Sequence, residues 1–274
     1  MFGSKGLAKI HRDKHFPDTD GMARIAQKIF AEKLGSPLNM NVDDALDNLM
    51  VFEFNEFNKR QKAWMSSFLD TLSELPEGMF PECRKVFDQY VEISRTDPVQ
   101  AMNNSGITRL MSAFFDSQAQ SRKTRAGTSL EKHVEYLLIQ HRLPHFETQK
   151  KLTTGSKNVK VDFIFPSIMH YQEHPLDCIA CACQTTSNDR FRLSVAQLDK
   201  GLRKYILTGI GCSNFGDALQ SDSLTEDKLS EISEAGIKYV VLEKGMDSRL
   251  SSHPAVINYS HFFSEVSRLS PIWE

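Results

Sequence analysis

The chain contains nothing resembling a membrane span or an export signal. No run of apolar residues approaches the roughly 20 needed to cross a bilayer. The start, MFGSKGLAKIHRDKH, is charged where a secretory signal would be apolar. The expected location is therefore the cytoplasm. Internal repeats and low-complexity tracts are also missing, and with 274 residues, 40% of them hydrophobic, the chain can bury a core without disulfide or metal staples. Cysteine is sparse, at five residues, and three of them crowd into DCIACACQ. In a strand Cys181 and Cys183 share a face while Cys178 takes the other, and no second C-x-x-C completes a zinc site. These thiols are expected to be small buried apolar groups. An excess of positive charge is lacking too. A formal net charge of -2 excludes wholesale coating of nucleic acid, so any DNA contact must come from a local basic surface.

Apolar residues up to about Arg125 recur at three- and four-residue spacing, broken by Pro and Gly. The spacing predicts helices over Met22 to Leu34, Asp43 to Phe57, Lys62 to Leu75 and Pro81 to Ile93. The pattern then changes. Thr128-Ser129-Leu130-Glu131 has the form of a capping box opening a helix, with Leu130, Val134, Leu137 and Leu138 on one face. His145 to Leu152, the polar turn TTGSKN and VKVDFIF make a hairpin signal, with Val159, Val161, Phe163 and Phe165 on an apolar face. CIACACQ is a buried strand, Arg190 to Leu207 a helix, Leu224 to Ala235 a helix ended by Gly236, IKYVVLE a third core strand, and His261 to Leu269 a closing helix. The fold class is α/β, a mixed sheet flanked by helices, with a helical N-terminal portion.

Asp162 is an acid inside an otherwise apolar strand, and a buried carboxylate is costly unless it is paired or binds a cation. The next strand ends in Gln184, followed by TTSNDRFR. Adjacent strands can place Asp162 and Gln184 side by side, with a backbone carbonyl, that of Cys183, available to a metal. Hard divalent ions such as magnesium favour sparse oxygen sites of this kind, and the geometry suits phosphodiester hydrolysis.

The segments RAGTSLEKHVEYLL, KVDFIFPS and QTTSNDRFR resemble the EcoRII, SsoII and PspGI group of restriction endonucleases. The likeness covers roughly residues 115 to 270, and Asp189-Arg190-Phe191-Arg192 is its most specific part. It implies a restriction-endonuclease-like PD-(D/E)XK core over residues 126–274, after a helical region over 1–125 that serves dimerisation and DNA contacts. It further implies Mg2+-dependent cleavage of double-stranded DNA by a homodimer. Asp162 would then bind the metal, Glu131 would be the glutamate of the upstream helix, and Asp189 and Arg190 would read base edges, with Asn188 and Arg192 beside them. A carboxylate accepts from cytosine N4 and Arg donates bidentately to guanine, so an adjacent acid and base suit a C/G-rich palindrome.

The chain departs from the family at two catalytic positions: the lysine falls on Gln184 and the helix glutamate on Gln197. Glutamine orients water or phosphate by hydrogen bonding but brings no charge. Lys160, on the strand face of Asp162, and Lys200, three residues beyond Gln197, are candidate replacements. Arg60 and Trp64, four apart on one helix, match a pair that in SsoII-like enzymes lines the pocket for a flipped base, and Gln120 matches a minor-groove reader. Together these imply a CCNGG-like core target. A DNA-binding protein that keeps the fold without cleavage is the alternative. A different metal-dependent enzyme or interaction module sharing only the sheet is the third.

Overall fold

The computed structural model describes residues 12–73, 80–103, 105–143, 145–154, 157–184, 198, 201–213 and 224–273. The chain divides into two compact units, one of residues 12–22 with 54–126 and the other of 23–53 with 127–273, counted over the described residues. Helices α1 (Thr19–Leu34), α2 (Val42–Ser73) and α5 (Ser105–Gln140) each contribute to both, while α3 (Pro81–Ser94) and α4 (Pro98–Asn103) belong to the first. The first unit packs around Phe16, Trp64, Cys83, Ile107 and Leu110.

The second unit is built on a six-stranded sheet in the order β1 (Glu147–Thr154), β2 (Lys157–Phe165), β3 (Ile179–Gln184), β4 (Arg203–Thr208), β5 (Ile237–Val241), β6 (Val256–Asn258). β1, β2 and β3 pair antiparallel, and β3 to β6 run parallel, so the sheet is mixed as expected. One face, bearing Phe163, Phe165, Cys181, Cys183, Tyr205, Leu207 and Val240, packs with apolar residues of α2, α5 and α9 (Tyr259–Leu269). The other, bearing Val161, Ile164, Ala180, Ala182, Ile206 and Tyr239, packs with Leu229 and Ile232 of α7 (Glu226–Glu234) and Leu250 of α8 (Ser248–Ser252). A short α6 (Ile168–Glu173) follows β2.

Three expectations from the sequence are corrected. The two helices expected over Asp43 to Phe57 and Lys62 to Leu75 form one, because no Gly or Pro in NKRQ interrupts the ladder. The capping box at Thr128 opens nothing, since α5 runs unbroken through it. Ser129 Oγ instead donates to Glu53 Oε2 at 2.7 Å, and the same oxygen lies 2.7 Å from Nε2 of the fully buried His133. Its motif residues serve tertiary partners because the turn before them already satisfies their amides. The helix expected over Arg190 to Leu207 is a strand over its described end, β4. Tyr205, Ile206 and Leu207 are consecutive apolar residues rather than a helical stripe; parallel strands pair with both edges of β4, and the cores on the two faces of the sheet bury its side chains.

Asp43 ties the second unit together. Its carboxylate, 4% exposed, accepts from the amides of Glu243 (3.0 Å), Tyr259 (3.1 Å) and Ser260 (2.9 Å) and from Ser260 Oγ (2.6 Å). The start of α2 thereby caps the first turn of α9, where free amides and the helix dipole favour a carboxylate. Asp43→Ala leaves three backbone donors without their acceptor and is expected to lower stability by about 3 kcal/mol or more, read from urea unfolding. A loss under about 1 kcal/mol would mean that water replaces the carboxylate at little cost.

Candidate active site

The β1–β2 hairpin delivers the central acid. Thr148 stands opposite Phe163 and Lys150 opposite Val161, so Asp162 has Gln149 as its cross-strand neighbour. Regular alternation would put Val161 and Phe163 on one face. They join opposite cores instead, and the slip falls on Asp162 between them. Gln149 answers it with a left-handed backbone, φ +56, a conformation non-glycine residues seldom adopt. The apolar face expected along β2 therefore holds only in part.

Asp162, 7% exposed, is held from two sides. Its Oδ2 accepts from the Cys183 amide at 2.7 Å, and its Oδ1 accepts from Gln149 Nε2 at 2.9 Å. The Gln149 amide nitrogen also donates to Glu131 Oε2 at 2.6 Å. Glu131 comes from α5 and is 5% exposed. One neutral side chain thus bridges two carboxylates from different elements. Burial pushes the Asp162 carboxyl above its ordinary range, partly offset by the Cys183 amide, Gln149 and the charge of Lys160. Burial also raises Glu131, with Gln149 opposing and the charge of Asp162 adding to the rise.

The β2–β3 pairing ends at Phe163–Cys181, so the Cys183 amide finds a carboxylate where a strand would otherwise be. In extended backbone a residue's N–H and C=O face the same edge, and the Cys183 carbonyl therefore faces this gap as well. Gln184 closes β3. It is 5% exposed, and among the described residues neither Oε1 nor Nε2 has a hydrogen-bond partner. A buried amide of this kind needs a partner, and a bound ligand or water is one candidate. The Cys183 thiol, pushed well above its ordinary value by burial and by both carboxylates, stays protonated and inert.

These groups fit a hard divalent cation. The donors are oxygens, burial makes the carboxylate charges costly, and a cation would relieve both. Among the described residues no group of three or more His, Cys, Asp and Glu could hold a metal, so any such site is sparse and completed by the carbonyl and water. His170 and His174 form an H-x-x-x-H pair before Cys178, their rings 5.2 Å apart, and gather no third ligand there. All five cysteines are free and buried, as expected.

The structure thus brings together Asp162, Glu131 and the Cys183 backbone at the end of the strand that carries Gln184. Gln197, Asn188, Asp189, Arg190, Arg192 and Lys200 lie outside the described residues, as does the side chain of Gln120. Arg60 and Trp64 lie in the first unit. Arg60 Nε donates to Glu56 at 2.8 Å and its Nη1 to the His15 carbonyl at 3.2 Å. Trp64 is fully buried, with Phe16 edge-on at 6.0 Å. Sequence reasoning missed Gln149, although counting back across the hairpin turn to the residue facing Asp162 would have singled it out.

Residues 91–253 match the family model described as EcoRII C terminal, more than half of the chain. The chain belongs to that family. Among curated proteins, the type II restriction enzyme EcoRII of Escherichia coli is 36% identical over 132 residues. That match takes in 47% of this chain and 29% of EcoRII, so the EcoRII C-terminal chain described here spans under a third of that relative. Two solved structures share the fold. Metal-depleted Ecl18kI in complex with uncleaved DNA superposes with a TM-score of 0.74 at 16% identity, over 99% of this chain and 85% of that one. A PspGI complex with substrate DNA gives 0.63 at 12% identity, over 95% and 96%. The resemblance read from RAGTSLEKHVEYLL, KVDFIFPS and QTTSNDRFR is borne out, and so is the mixed α/β class. No helix among the described residues is long and apolar enough to cross a membrane.

The raised carboxyls predict a pH dependence. A carboxyl whose folded value lies above its unfolded one favours folding while protonated, and that contribution is lost as pH rises through the folded value. In buffer free of divalent ions, Glu131→Gln is therefore expected to raise the melting temperature at pH 7 to 8. The gain should vanish as pH falls below the ordinary glutamate range, about 4.3. A melting temperature lowered by the substitution at pH 8 would contradict it.

Proposed function

We propose that this chain is a type II restriction endonuclease that cleaves double-stranded DNA at a C/G-rich palindrome with a CCNGG-like core, acting in the cytoplasm. The observation that carries the reading is the buried pair Glu131 and Asp162, bridged by Gln149 and held by the Cys183 amide where the pairing of β2 and β3 ends, at the strand that closes on Gln184. Family membership and the DNA in both structural relatives support it.

Asp162, Glu131 and the Cys183 carbonyl would hold magnesium. When bound, that ion supplies charge neutralisation at the phosphate and an activated water. Gln184 takes the family's lysine position and orients water or a phosphate oxygen through its amide, without adding charge. Gln197 stands in the same way for the helix glutamate. Asp189 and Arg190 read base edges, Asn188 and Arg192 extend that contact, and Gln120 reaches the minor groove. Arg60 and Trp64 receive a flipped central base, which can stack on the indole only by displacing the packing of Phe16. The chain works as a homodimer over residues 1–125 and 126–274 as helical region and nuclease core, because a palindromic site mirrors a protein two-fold.

One observation favours a second reading. With uncharged glutamine at position 184, the fold would support binding without efficient cleavage. A digest separates the two. Plasmid carrying CCNGG sites, incubated with the protein and magnesium, should yield discrete fragments, and Asp162→Ala should slow cutting on the order of 10³-fold while keeping sequence-specific gel retardation. Fragments that persist with Asp162→Ala would dismiss the proposed metal site. Specific retardation without cutting, turned into cutting by Gln184→Lys, would establish the second reading.

A further inference from the structure

The proposed cation and the Gln149 amide compete for the same oxygens. Gln149 Nε2 stands 2.6 Å from Glu131 Oε2 and 2.9 Å from Asp162 Oδ1. A divalent ion shared by these oxygens would sit within about 2.0–2.6 Å of each, in the space that the nitrogen fills. Both amide hydrogens are committed, one to each carboxylate, so the side chain neutralises neither charge but gives each a donor. Amide nitrogen carries no lone pair for a cation, whereas the carbonyl oxygen of the same group does.

The backbone marks this residue as placed for the task. Gln149 alone of the described β1 and β2 residues has a positive φ, and it lies directly across from Asp162. That left-handed turn within a strand is tolerated where the surroundings over-determine it, and such outliers gather at functional sites. Here the surroundings are the two carboxylates that the side chain joins.

We propose that Gln149 is a positioning residue: its amide nitrogen clamps Glu131 and Asp162 together in the cation-free protein and must turn away before a divalent ion can occupy the pair. The inference rests on the metal-site reading given above and goes beyond it. The clamp keeps the acids preformed at ligand spacing while the site is empty, and it sets the affinity for the ion lower than the two carboxylates alone would give.

The test uses the full chain without DNA and calcium as the probe, with binding followed by titration calorimetry. Asp162→Ala should abolish binding. Gln149→Asn tolerates the left-handed backbone but is too short to bridge, and it should bind calcium roughly tenfold more tightly than the parent, the equivalent of freeing one charge-assisted hydrogen bond. A second measurement needs no variant. In the unsubstituted protein, saturating calcium should shift the side-chain amide resonances of Gln149 out of their hydrogen-bonded position. Undiminished calcium binding by Asp162→Ala would overturn the metal-site reading itself. Loss of binding in that variant, together with unchanged or weaker binding by Gln149→Asn, or unmoved Gln149 resonances, would leave that reading standing and overturn the clamp.

Discussion

Glu131 and Asp162 carry like charges into a poorly solvated corner of the sheet, and much of the surrounding geometry answers that cost. Their facing oxygens can be no farther apart than the two Gln149 hydrogen bonds laid end to end. Unit charges at such a spacing repel by roughly 3 kcal/mol in an environment of effective dielectric about 20. A bridging amide, a strand amide turned inward at Cys183, and the nearby charge of Lys160 each reduce the penalty without removing it. An arrangement that remains costly when empty is one that a cation would stabilise. The left-handed backbone at Gln149 and the slip of faces at Asp162 are local concessions to the same requirement.

Such a site needs a stiff frame. Glu131 rides on α5, whose Leu130, Val134, Leu137 and Leu138 are fully buried in the core that also holds Phe163 and Cys181. Neighbouring polar residues lock the same helix against α2 through Glu53, Ser129 and His133. Asp43, in the first turn of α2, fixes the first turn of α9 in its place. Buried polar groups are costly unless partnered, and Glu53 and Asp43 find their partners on elements distant in sequence. The acids therefore sit on elements whose positions are set by packing, which lets a pair of carboxylates stay at ligand spacing.

The candidate site is also distinguished by its amide side chains. Gln149 bridges the two acids, and Gln184 is buried at the strand end. Under the proposed function, such a set would rely on orientation by hydrogen bonds more than on fixed positive charge. Charge compensation at the phosphate would then fall to the cation and to a local basic surface, in keeping with a near-neutral chain.

Residue patterns alone settled several features. The stripe on α5, the hairpin around TTGSKN, the buried strand CIACACQ and the oddity of an acid at position 162 follow from local periodicity and from the cost of burying charge, both of which are written in neighbouring residues. Runs such as DRFR, compared with a known group, supplied the family. The tertiary structure decided the rest. It made a strand of RKYILT, because pairing on both sides outweighs local preference, and it turned Ser129 and Glu131 from an apparent helix cap toward Glu53 and Gln149. It also chose Gln149 as the partner of both acids, a contact that depends on strand register and on a helix more than a dozen residues away. Local sequence reports which groups are expensive to bury; only the folded chain decides which distant group comes to meet them.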